Sequence, residues 1–176
     1  FLLVGRLLEA KGLYEYAEAA RLVKKRHPNA RFQLLGAPES SRGGVPLETV
    51  KGWEREGIIE YLGVTRDVRP YVGQANVVVL PSWREGLPCS LMEAMSMGRP
   101  IVATDVPGCR DVVVDGKNGF LVPVRTPEAL AKALESFLED STLTARMGKE
   151  GRFIAETELD ARKAADLILS VMKLVS

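Results

Sequence analysis

Residues 77–104 read VVVLPSWREGLPCSLMEAMSMGRPIVAT, and their pattern decides the fold. VVVLP (77–81) and IVAT (101–104) are nearly continuous in apolar residues, as strands buried on both faces must be. Between them lies SLMEAMSMG (90–98), which has helical composition, behind a loop of polar, Gly and Pro residues. A strand, a helix and a second buried strand form a crossover unit, which puts the two strands parallel with a right-handed connection.

The same alternation extends in both directions. FLLVG (1–5), RFQLLG (31–36), IIEYLG (58–63) and GFLVP (119–123) read as further strands. Helical patterns fill 12–27, 47–57, 68–75 and a short 109–114. In the first, Leu13, Tyr16, Ala17, Ala20 and Val23 make one apolar stripe, and Lys24, Lys25 and Arg26 precede His27 and Pro28 as a solvated, cation-rich helix end. Beyond residue 126 only helical patterns follow, at 127–139, 142–156 and 160–175. Thr126 is placed as N-cap and Pro127 at the first helical position. The expected fold is α/β: a single domain over 1–176, with a doubly wound parallel sheet of about six strands and a helical tail over 127–176.

Composition narrows the function. Lys and Arg number 24 against 23 Asp and Glu, a net charge of +1 that gives no global field for nucleic acid. Two cysteines, Cys89 and Cys109, are too few for a disulfide framework and are expected as small buried residues in a reducing compartment. One histidine, His27, cannot build a metal site with its neighbours and is read as a helix cap. No apolar run approaches the roughly eighteen residues of a membrane span. The chain opens on FLLVG without Met, and is expected to be part of a longer protein.

In open α/β sheets ligands bind beyond the carboxyl ends of the strands, so chemistry is sought in the loops there. After the first strand, GRLLEAKG (5–12) places Arg6 and Lys11 around a helix start, where they read either as solvated cations on a turn or as a pair suited to an anion. Neither G-x-G-x-x-G nor a P-loop is present. After the fourth strand, Glu85, Gly86, Leu87 and Pro88 lead into a helix whose free amides point the same way. Glu93 has two readings. Ser90 and Glu93 fit S-x-x-E, a capping box with Ser90 as cap; alternatively Glu93 faces a ligand. Glu85 can be a solvated carboxylate paired with Arg84, or part of the same site. Met92, Met95 and Met97 are read as packing residues.

VGRLLEAKG (4–12), the 77–108 stretch and DGKNGFLVP (115–123) together resemble the C-terminal half of family 4 glycosyltransferases, over nearly the whole chain and in the family's order. Glu85 and Glu93 match that family's E-x7-E. The resemblance implies one of the two facing Rossmann-like domains of the GT-B fold, and a retaining transfer from a nucleotide-sugar donor, read as a UDP-sugar. It implies that Arg6 and Lys11 hold the diphosphate, with amides around Gly86, Leu87, Pro88 and Ser90. Glu85 would meet the donor sugar, Glu93 the ribose hydroxyls, and backbone near Val64 the base. No D-x-D occurs, so a metal-free site without cofactor is expected. PGCRD (107–111) departs from the family's GGxxE, with Asp111 in place of Glu.

A finer resemblance, to transferases that build lipid-linked polysaccharides, implies a polyprenyl-linked saccharide acceptor. It would be held by an N-terminal domain outside this sequence, in the cytoplasm with a peripheral contact at the inner membrane face. Dimers of the domain alone are expected to be artefacts of its exposed partner face. A nucleotide-sugar 2-epimerase and a non-catalytic nucleotide-sugar-binding module fit the same donor residues.

Overall fold

The computed structural model describes residues 1–158. Six strands form one parallel sheet: β1 (Leu2–Val4), β2 (Gln33–Leu35), β3 (Glu60–Tyr61), β4 (Val78–Leu80), β5 (Ile101–Thr104) and β6 (Gly119–Val122). Their order is β3-β2-β1-β4-β5-β6, so the chain reverses direction across the sheet between β1 and β4. That is the switch point where a crevice opens at the strand ends.

The helices are α1 (Leu13–Arg26), α2 (Leu47–Arg55), α3 (Arg69–Gln74), α4 (Cys89–Ser96), α5 (Pro107–Arg110), α6 (Pro127–Glu139) and α7 (Thr142–Glu158). The expected helix over 160–175 lies outside the described residues. Strand side chains alternate between two cores. Leu3, Leu34, Val79 and Val102 pack with α1, α2 and α6. Leu2, Leu35, Val78, Leu80 and Ile101 pack with α3, α4 and α5 on the other face. This two-sided burial is why the strands read as apolar runs rather than as alternating ones.

The strands are shorter than their apolar runs: β2 begins at Gln33 and β3 at Glu60, each two residues into its run. α5 begins at Pro107, two residues earlier than the pattern suggests, with Pro at a first-turn position where its missing N–H costs nothing. Thr126 does stand at the cap position of α6, but its hydroxyl donates to the Val124 carbonyl instead of accepting from the helix. His27 closes α1 through its backbone N–H, which donates to Val23.

Candidate functional site

The loops after β1 and β4 meet at the switch point. A 3-10 turn over Glu9–Lys11 ends at Gly12, whose backbone is left-handed at φ 73°. A Cβ at Gly12 would lie 2.0 Å from the Pro81 carbonyl oxygen, so glycine alone lets the two loops touch. The Trp83 amide donates to the Ala10 carbonyl at 2.9 Å, stitching the β4–α4 loop to this turn.

That contact sets up the central pair. Lys11 Nζ donates to Glu85 Oε1 at 2.7 Å, with the Lys11 side chain 26% and the Glu85 side chain 9% exposed. The expected alternative, Glu85 with Arg84, is not what forms: Arg84 stays exposed and Glu85 turns inward to Lys11. Behind Glu85 lies Cys109, buried; loss of hydration and then the Glu85 charge push its thiol pKa up to about 12. Gly108 packs under the loop so closely that a Cβ there would lie 1.6 Å from the Gly86 carbonyl oxygen.

Arg6 is also paired. Its Nη1 donates to Glu39 Oε2 at 2.6 Å, and Glu39 sits on the β2–α2 loop, where the Ser41 amide holds its other oxygen at 3.0 Å. The Ser41 hydrogen bonds, ahead of Arg6, keep the Glu39 carboxyl below its usual pKa. No sequence pattern singled out Glu39, because it lies in an aperiodic loop 33 positions from its partner.

The capping-box reading of Ser90 is corrected. α4 begins at Cys89 with Pro88 at the cap position, and no side chain caps it. Pro88 provides a fixed φ for the turn but no N–H, so it cannot offer an amide to a ligand. Among the described residues the amides of Gly86, Leu87, Cys89 and Ser90 meet no carbonyl acceptor. These are the free donors of the helix start.

Glu93 is freed by the same shift. It lies exposed on α4, one turn beyond Cys89, and both line a groove of about 690 Å³ with Arg66, Asp67, Val68 and Met92. Met95 is buried in the core as expected, and Met92 and Met97, partly buried, pack against the same core while also lining the groove. Cys89 is exposed, contrary to the expectation of burial. Asp67 is occupied by Arg69, which donates through Nε and Nη2 at 2.7 and 2.9 Å. Val64, 64% exposed, follows Gly63 at the end of β3 on the same edge of the sheet. A groove of similar size, about 700 Å³, lies between α1 and α6 and is lined by the C-terminal part of α1, at the opposite end of that helix from Lys11.

The fold is an open parallel α/β domain with two loops meeting at its switch point, and the chain belongs to the glycosyl transferases group 1, whose family model it matches over residues 1–140. Among its relatives, N,N'-diacetylbacillosaminyl-diphospho-undecaprenol alpha-1,3-N-acetylgalactosaminyltransferase of Campylobacter jejuni is 29% identical over 148 residues, 84% of this chain and 38% of the relative. Alpha-D-kanosaminyltransferase of Streptomyces kanamyceticus is 30% identical over 173 residues, 98% of this chain and 45% of the relative. The structure of Anabaena HepE, solved in complex with UDP, superposes with a TM-score of 0.85 at 23% identity, covering 98% of this chain and 48% of that one. The chain therefore spans less than half the length of these relatives. No described helix is long and apolar enough to cross a membrane.

Proposed function

We propose that this chain is the donor-binding domain of a retaining glycosyltransferase, taking a UDP-sugar and delivering the sugar to a hydroxyl of a saccharide acceptor. The acceptor would be held by a domain outside this chain. The Lys11–Glu85 pair at the switch point carries the reading, because it brings a cation and a carboxylate from two loops to one place. Beside it lie the free amides that open α4 and the groove bearing Glu93.

The chemistry follows from charge. A departing nucleoside diphosphate gains negative charge, and fixed donors aimed at it lower the barrier. Lys11, Arg6 and the amides of Gly86, Leu87, Cys89 and Ser90 supply those donors. Each charge-assisted bond contributes about 1.5–3 kcal/mol. Glu93 accepts from the two ribose hydroxyls, and backbone near Val64 meets the base. Glu85 receives a donor-sugar hydroxyl while Lys11 holds its other side. The site works without a metal, its positive charge coming from side chains and amides.

The names of two relatives support the finer assignment. The Campylobacter relative acts, by its name, on a diphospho-undecaprenol-linked sugar. HepE is solved with UDP. A polyprenyl-linked saccharide acceptor at the inner membrane face is the corresponding reading here. Titration calorimetry tests the donor reading. UDP is expected to bind in the presence of EDTA, more tightly than GDP or ADP, and Glu93→Ala is expected to abolish the preference for ribonucleotide over 2′-deoxyribonucleotide. A folded chain that binds none of the three nucleotides would sink the reading.

A further inference from the structure

The loop that carries Glu85 is held at a second point by residues that the donor chemistry leaves unused. Trp83 Nε1 donates to Glu15 Oε1 at 2.8 Å, joining the loop to the first turn of α1. Above the same indole lies Arg125, its Cζ 3.9 Å from the ring centroid. Arg125 sits where the chain leaves β6 and turns into α6. Among the described residues it is the non-glycine with positive φ, at 57°.

That backbone is costly for arginine and free for glycine. What arginine adds at this exposed position is its guanidinium, which makes no ion pair among the described residues and stands over the Trp83 ring. The Glu15 carboxylate is unusual in the same way: its Oε2 is buried and accepts no hydrogen bond. Two residues thus bear a cost, and both converge on one indole two positions before Glu85. The Trp83 amide is already tied to Ala10, and the Ser82 carbonyl accepts from the Thr104 hydroxyl.

We propose that Glu15, Trp83 and Arg125 form a clamp that fixes the β4–α4 loop between the first turn of α1 and the β6–α6 turn, as a second anchor beside Lys11. They are positioning residues for Glu85 and for the amides that follow it. The clamp's effect on ligand binding rests on the donor-site reading above; its effect on the loop does not. Lys11 holds the Glu85 carboxylate and Glu15 holds the Trp83 indole, so both tie the loop to the start of α1, and Arg125 covers the indole from the β6–α6 turn.

The test uses this chain, with amide hydrogen exchange and UDP calorimetry measured on the same variants. Arg125→Ala keeps the strained backbone and loses the stack. It is expected to speed exchange at the amide of residue 83, which donates to Ala10, by about two- to fivefold and to weaken UDP binding by a similar factor, as loss of one exposed cation–π contact implies. Trp83→Phe and Glu15→Ala should loosen the same amide. Arg125→Lys and Glu15→Gln, which keep the cation and the acceptor, should restore both readouts to within about twofold. Exchange in β2 and β3 should not change. Unaltered exchange at the amide of residue 83 in Arg125→Ala overturns the clamp, as does loosening that spreads through the sheet. Should Trp83→Phe fail to fold, the Arg125 and Glu15 variants decide. Wild-type chain that binds no UDP while Arg125→Ala still loosens the loop would sink the donor reading and leave the clamp standing.

Discussion

Lys11 Nζ meets Glu85 Oε1 at 2.7 Å across 74 positions of the chain, and this pair ties the two loops that flank the switch point. Glu85 is nearly buried, so its charge is tolerated only with the lysine beside it. Lys11→Ala is expected to destabilise the chain by about 1–3 kcal/mol, the cost of a buried acceptor left without its donor. Removing both side chains should cost less than the sum of the single changes. Urea unfolding of the four species in a double-mutant cycle measures the coupling, and additive losses would show that the pair does not act as a unit.

Arg6 and Glu39 make a contrasting pair. The Arg6 side chain is 64% exposed, so the pair adds little to stability, about 0–1 kcal/mol. Its effect falls on ligand binding instead, because Glu39 holds a cation assigned to the diphosphate. Glu39→Ala is expected to leave the urea midpoint nearly unchanged and to tighten UDP binding by about two- to fivefold. Arg6→Ala should weaken UDP binding, with a smaller salt dependence than wild type. Weaker binding in Glu39→Ala would mean that Glu39 orients Arg6 rather than competing for it.

Gly108→Ala tests how tightly α5 supports the loop. Its new Cβ would lie 1.6 Å from the Gly86 carbonyl oxygen and 2.7 Å from that of Glu85, both backbone atoms that cannot rotate away. The loop must shift, at a cost of about 1–3 kcal/mol, and the amides of Gly86 and Leu87 shift with it. Gly52→Ala in α2 is the control. Nothing lies within 4 Å of a Cβ there, and alanine is expected to stabilise the helix by about 0.5–1 kcal/mol. Opposite signs in thermal unfolding, with UDP affinity lost only in Gly108→Ala, are the expected outcome.

Residue pattern carries the sheet and the helices because both are local and periodic. VVVLP and IVAT are apolar on both faces, and the structure buries all of Val77–Leu80 and Ile101–Thr104. What pattern does not carry is pairing across loops. Lys11–Glu85 and Arg6–Glu39 depend on where aperiodic segments cross, and no spacing rule encodes that. S-x-x-E at 90–93 fails for a different reason: Pro88 takes the cap position first, which moves Ser90 inside the helix and leaves Glu93 to the groove. Arg125 was equally hidden, since its left-handed backbone occurs at a residue type that rarely adopts it.

The two cysteines differ in burial, and both reactivity and alkaline stability should show it. Cys89 is exposed on the groove and is expected to react with a thiol reagent in the folded chain, while Cys109 reacts only on unfolding. Burial, and then the Glu85 charge, raise the Cys109 thiol pKa from 9.0 to about 12. Between those values the unfolded chain has lost the thiol proton and the folded chain still holds it. The unfolded state therefore binds fewer protons, and stability falls as pH rises. The contribution is complete below pH 9 and is lost progressively toward pH 12. Tyr16, fully buried with its phenol pKa raised by desolvation, adds a loss of the same sign starting near its ordinary value of 10.0. Between pH 9 and 10 the cysteine acts before the tyrosine. Cys109→Ala is thus expected to flatten the decline of the unfolding temperature over that interval, though its stability at pH 7 is lower because a buried side chain has been cut back. An equal slope in wild type and Cys109→Ala would show that another group governs the alkaline limb.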